Sequence, residues 1–97
     1  MERKVRILKK AASNLEGILE YLDRDFGKPT AIQFFKRVET LFSILINQPE
    51  IGTLYRSEKR IFSFPIEKQT RVFYRFTKSE VVIISFFDVR QNPKKAP

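Results

Sequence analysis

The hydrophobic period of this chain changes once, and that change restricts the folds open to it. Ala11, Leu15, Ile18, Leu22 and Phe26, flanked by Ala12 and Leu19, recur every three or four residues. Such spacing places them on one stripe of an α-helix. Gly27 follows, a residue able to take positive φ, and Pro29 stands where a second helix can begin. The second stripe holds Ala31, Phe34/Phe35, Val38, Leu41/Phe42 and Leu45, until Pro49 and Gly52 stop it. Beyond residue 60 the period is two. Phe62, Phe64 and Ile66 alternate with Ile61, Ser63 and Pro65, and Val72, Tyr74 and Phe76 with Arg71, Phe73 and Arg75. Lys78-Ser79 then turns the chain into the apolar run Val81–Phe87. Upstream, Val5 and Ile7 alternate with Lys4 and Arg6. The expected order is β-α-α-β-β-β, an α+β fold. Helices over roughly 10–26 and 30–48 form a hairpin on one face of a twisted, mainly antiparallel sheet that includes the first strand. Pro65 cannot donate to a ladder, so the first of the three later strands is expected to fray or end there.

Ninety-seven residues predict a single domain over 1–97. No apolar run approaches the roughly 20 residues that cross a bilayer. The basic start, "MERKVRILKK", lacks the apolar segment of a secretory signal. With no cysteine there is no disulfide or thiolate metal site, and with no histidine the commonest zinc ligand and general base are both missing. The reading is a cytoplasmic protein without metal or cofactor. The net charge of +8 lies toward the two ends. Residues 1–10 carry five basic side chains against Glu2, residues 11–50 four against six acidic, and residues 51–97 ten against four. A basic surface of this kind suits an acidic partner, either nucleic acid or an acidic protein segment.

Three constellations can carry chemistry. Arg71 and Arg75, at i and i+4 on one strand, project to the face opposite the helices, about 13 Å apart by strand rise. Phe73 lies between them, an arginine–aromatic ladder suited to phosphates and stacked bases; salt bridges or plain solvation would use the same residues. The end of the last strand, "FFDVRQNPKK", supplies Asp88, Arg90, Asn92, Lys94 and Lys95. Arg90 suits a phosphate or acidic group, with Asp88 orienting it or accepting a proton. Alternatively the pair simply closes the strand. The segment "LYRSEKRIF" reads as a loop bearing Tyr55, Arg56, Lys59 and Arg60.

With "RIFSFPI", "RVFYRF" and "VVIISFFDVRQNP" in that order after a helical hairpin and the "QPEIG" turn, the whole chain resembles the RelE/ParE toxins of bacterial type II toxin–antitoxin systems. The resemblance implies a cognate antitoxin whose acidic or amphipathic C-terminal segment wraps the toxin. It also implies a target: DNA gyrase for ParE-like members, or mRNA in the ribosome for RelE-like endonucleases. If the chain is a nuclease, the resemblance points to Arg60, Arg71 and Arg90 for phosphate and to Asp88, where relatives often have histidine, as a weak base. No tyrosine follows the last strand to act as acid, and Tyr74 falls on the core face. The expected working reading is therefore ParE-like: partner or phosphate binding through Arg56, Lys59, Arg71, Phe73, Arg75, Arg90, Lys94 and Lys95. A non-toxic basic binding module of the same fold is the third possibility.

Overall fold

The two periods pack against one another as their geometry demands. The structure, a computed structural model, describes residues 2–90. Its elements are β1 (Lys4–Ile7), α1 (Lys9–Phe26), α2 (Lys28–Asn47), a short 3-10 turn (Pro49–Ile51), β2 (Thr53–Arg56), β3 (Ile61–Glu67), β4 (Thr70–Phe76) and β5 (Glu80–Asp88). The strands form one sheet in the order β1-β5-β4-β3-β2. β1 runs parallel to β5, and every other pairing is antiparallel. The hairpin of helices carries the chain from β1 at one edge of the sheet to β2 at the other, and the antiparallel run β2–β5 returns it to pair parallel with β1. Among the described residues, no helix is long and apolar enough to cross a membrane.

Gly27 makes the hairpin possible. It is the single residue between the helices and adopts φ 98°, where a side chain is strained. Its N–H closes α1 on the Asp23 carbonyl, and Pro29 falls in the first turn of α2, where its missing N–H costs nothing. From α1, Ala11, Ile18 and Leu22 are buried; from α2, Ala31, Phe34, Val38, Leu41 and Leu45. These meet Val72, Tyr74, Val81, Ile83 and Phe86 of the sheet in one core. The Tyr74 hydroxyl donates to the Pro49 carbonyl at 2.6 Å and accepts the Gly52 N–H at 3.0 Å, docking the turn after α2 onto β4. Burial pushes this phenol above its ordinary pKa. Gly52 must be glycine here: a Cβ would run into the Tyr74 hydroxyl and stand 2.8 Å from the Ser63 carbonyl oxygen.

One bulge decides which way β5 faces. Phe73 pairs with Ser85 and Tyr74 with Ile83, so Ile84 is the extra residue. Ile83 and Phe86 therefore share the helix side although they are three apart, and Asp88, two beyond Phe86, shares it too.

The structure departs from the sequence reading in two places. The segment 54–62 is no simple loop, because Thr53–Arg56 form a fifth, edge strand. All four of its residues are exposed, so no apolar alternation announces it. Nor does β3 stop at Pro65: it continues to Glu67, with Pro65 paired to Arg71. A proline is tolerated in a strand when its nitrogen faces an unpaired edge. That is the case here. The Ser63 carbonyl lies on the β2 side, close to Gly52, and alternation turns the Pro65 nitrogen the same way.

Candidate functional site

The sheet face away from the helices is built by alternation on β4. Arg71, Phe73 and Arg75 share it, opposite Phe87, Ser85 and Val82 of β5. Arg71 donates to the Ser63 hydroxyl of β3 at 3.0 Å, which fixes the root of its guanidinium while leaving it partly exposed. Phe73 is only 5% exposed, because Tyr55 of β2 covers it with an edge-on ring, centroids 4.9 Å apart. The aromatic surface on offer between the two arginines is therefore Tyr55, at 43% exposure, more than Phe73 itself.

At the other end of this face, Arg6 of β1 grips Glu80 with two nitrogens, at 3.0 and 3.2 Å. That hydrogen bonding, outweighing partial desolvation and helped by the charges of Arg6 and Arg75, holds the Glu80 carboxyl below its usual range. The β2–β3 turn brings three further cations beside the sheet. Arg60 takes φ 52°, its N–H bonded to the Ser57 carbonyl, and its guanidinium stands 6.0 Å from the Phe62 ring centroid. Arg56 lies 3.7 Å from Glu58 and over the Tyr55 ring, and Lys59 is exposed.

Asp88 and Arg90 do pair, at 2.8 and 3.1 Å through Nη2 and Nε. They do so on the other side of the sheet. The Asp88 side chain has no exposed surface; it also accepts the Thr70 hydroxyl at 2.6 Å and the Arg90 backbone N–H at 2.9 Å. Burial alone would raise its pKa, but the hydrogen bonds from Arg90 and Thr70 and the Arg90 charge outweigh it, and the net shift is downward. Arg90 reaches on to Glu67 at 2.9 Å and lies over the Phe26 ring at the end of α1. The second oxygen of Glu67 takes Arg37 of α2 at 3.3 Å. The chain Thr70–Asp88–Arg90–Glu67–Arg37 thus ties the end of β5 to β3, β4 and both helices.

The predicted residues therefore divide. Arg71, Phe73 and Arg75 share the open face, and Arg56, Lys59 and Arg60 sit in or beside the adjoining turn. Asp88 and Arg90 are turned to the helices. Arg60, Arg71, Asp88 and Arg90 do not converge on one point. Asn92, Lys94 and Lys95 lie outside the described residues. Sequence reasoning missed Glu67, Arg37, Ser63 and the Arg6–Glu80 clamp, since each depends on strand register, which no local pattern carries. Chemically, the open face can hold an anion or an acidic segment. The Glu80 carboxylate near Arg75 is already engaged and made a poorer base by Arg6.

A helical hairpin on one face of a five-stranded sheet is the fold of the RelE/ParE superfamily of toxins, and a family-model match over most of the chain assigns it there. More narrowly, it belongs to the family described as the ParE toxin of type II toxin–antitoxin systems, parDE, whose family model matches residues 5–93. Its structure is similar to the chromosomal ParDE system of P. aeruginosa (TM-score 0.72, 17% identity, 89% of this chain and 95% of that one). It is also similar to the RelBE2 complex of Mycobacterium tuberculosis (0.60, 23%, 91% and 99%) and the E. coli DinJ-YafQ complex (0.66, 12%, 95% and 98%). At these identities the likeness is one of fold. No curated protein matches the sequence significantly.

Proposed function

We propose that this toxin arrests growth by binding an essential machine, DNA gyrase, through the cationic sheet face, and that a cognate antitoxin neutralises it with an acidic or amphipathic C-terminal segment. The observation that carries this reading is the placement of Asp88. Cutting RNA by 2′-OH attack needs a base near the hydroxyl, charge to stabilise the phosphorane and an acid for the leaving oxygen. Asp88 is the carboxylate that the sequence offers as base, yet it is buried, ionised, saturated by four hydrogen bonds and on the helix side. Tyr74 is buried and bonded to Pro49 and Gly52. What Arg71 and Arg75 share their face with is aromatic surface and an engaged glutamate, a set suited to binding more than to proton transfer.

Family membership supports the gyrase target over the RelE-like alternative, a ribosome-dependent mRNA endonuclease. Induced expression in bacteria separates the readings. The expected result is growth arrest with DNA damage and unchanged 5′ ends on ribosome-bound message by primer extension. New 5′ ends within reading frames would establish the endonuclease. Unimpeded growth would leave the non-toxic binding module.

A further inference from the structure

β2 carries a bulge of its own. Thr53 pairs with Ser63 and Leu54 with Phe62, but Arg56 pairs with Ile61, so Tyr55 is the extra residue. Ile61 and Ser63 are two apart on β3 and share the open face, which puts Arg56 there as well. Tyr55 already lies there, against Phe73. The bulge therefore turns two consecutive side chains to one face, where a regular strand would send them to opposite faces.

The result is an aromatic ring held from two sides. Phe73 packs edge-on with it, and the Arg56 guanidinium stands 5.8 Å from its centroid. Even so, Tyr55 remains 43% exposed. A bulge can serve simply to blunt a sheet edge, but edges are blunted with charges or proline and not with an exposed ring. Tyrosine and arginine are the residues that dominate binding at protein interfaces, and a ring already held in place loses little freedom on binding.

The carboxylate beside the ring decides the kind of partner. Glu58 is well exposed and stands 3.7 Å from Arg56. A nucleic acid is bound chiefly through its phosphates, and would bring them against Glu58 next to the ring. A folded protein can offer a pocket to Tyr55, set its own carboxylates on Arg71 and Arg75, and leave Glu58 at the polar rim.

We propose that Tyr55 is the anchor by which the open face grips gyrase, its ring filling a pocket on the gyrase protein while Phe73 and Arg56 fix its orientation. This rests on the gyrase reading above and names the residue that gives that contact its specificity.

The test is the Kd of purified gyrase, with and without duplex DNA, for toxin variants that keep native circular dichroism. Tyr55→Thr, which suits a strand, should weaken binding by about tenfold or more. Tyr55→Gln carries the same expectation, should the threonine variant fail to fold. Tyr55→Phe keeps the ring and should stay within about threefold of wild type. Leu54→Thr removes a side chain of similar exposure, 45%, from the same strand on the opposite face, and should change Kd by less than about twofold. Wild-type affinity in the Tyr55 variants overturns the anchor and leaves the gyrase reading standing. An equal loss in Leu54→Thr assigns the effect to the integrity of β2 and overturns the anchor too. Tight binding of the wild-type chain to duplex DNA alone, lost in Tyr55→Thr, makes the ring a nucleic-acid contact and overturns the protein partner. No binding of gyrase by the wild-type chain in either condition overturns both readings together.

Discussion

Replacing Arg90 by alanine should unfold this domain at a much lower temperature, and the size of the effect follows from what is left behind. The Asp88 side chain is fully buried, and Arg90 supplies two of its three side-chain hydrogen bonds and its neutralising charge. In Arg90→Ala the carboxylate keeps the Thr70 hydroxyl and the backbone N–H of residue 90 but loses its counter-ion. Breaking a buried pair in this way costs about 3–5 kcal/mol. Arg90 is itself 25% exposed, so water screens part of the loss and about 3 kcal/mol is expected. For a domain of this size, that lowers the melting temperature by roughly 12–24 °C. Thermal unfolding followed by circular dichroism measures it. Arg90→Lys, which keeps the charge without the planar fork, should recover only part of the loss. A melting temperature within about 3 °C of wild type would refute the reasoning. If growth inhibition were then lost as well, Arg90 would be acting on the target and not on the fold.

Other expectations follow from the same geometry. The Asp88 carboxyl has a folded pKa below its unfolded value of about 3.9, so its contribution to stability is present above that pH and is lost as pH falls through the folded pKa. Urea unfolding between pH 6 and pH 2 should show stability dropping at the acid end, with a shallower drop in Asp88→Asn. Gly52→Ala must displace the Tyr74 hydroxyl or the Ser63 carbonyl, and should cost about 1–3 kcal/mol in the same assay. Phe34→Ala, which empties a buried position between the helices and the sheet, should cost about 3–5 kcal/mol. Arg71→Glu with Arg75→Glu should abolish growth arrest while shifting stability by only about 0.5 kcal/mol, because neither side chain is buried.

The two helices and the central strands are legible because their apolar residues keep one period over long stretches: Ala11 to Leu45 at helical spacing, Phe62 to Phe76 at two. Buried faces enforce that periodicity. β2 carries no such imprint, since an exposed edge strand of four residues has no buried face to pattern. The candidate site was half legible. Arg71, Phe73 and Arg75 follow from alternation on an unbroken strand. The direction of Asp88 does not, because strict alternation from Ile83 would put Phe87 in the core and Asp88 on the open face with Arg71. The single extra residue Ile84 inverts the parity, and a one-residue change moves every following side chain to the other face. Nothing in "VVIISFF" marks where the bulge falls. Ser85, buried opposite Phe73 with no hydrogen-bond partner for its hydroxyl among the described residues, lies immediately after it.

The central claim is that the Arg71–Arg75 face, and no nuclease site, carries toxicity. Supercoiling of relaxed plasmid by purified gyrase tests it most directly, with wild-type toxin and the Arg71→Glu/Arg75→Glu variant added at equal concentration. The account predicts that the wild-type chain inhibits supercoiling and that the folded double variant does not. Gyrase that works unhindered beside wild-type toxin, in a preparation that cuts ribosome-bound message, would contradict it.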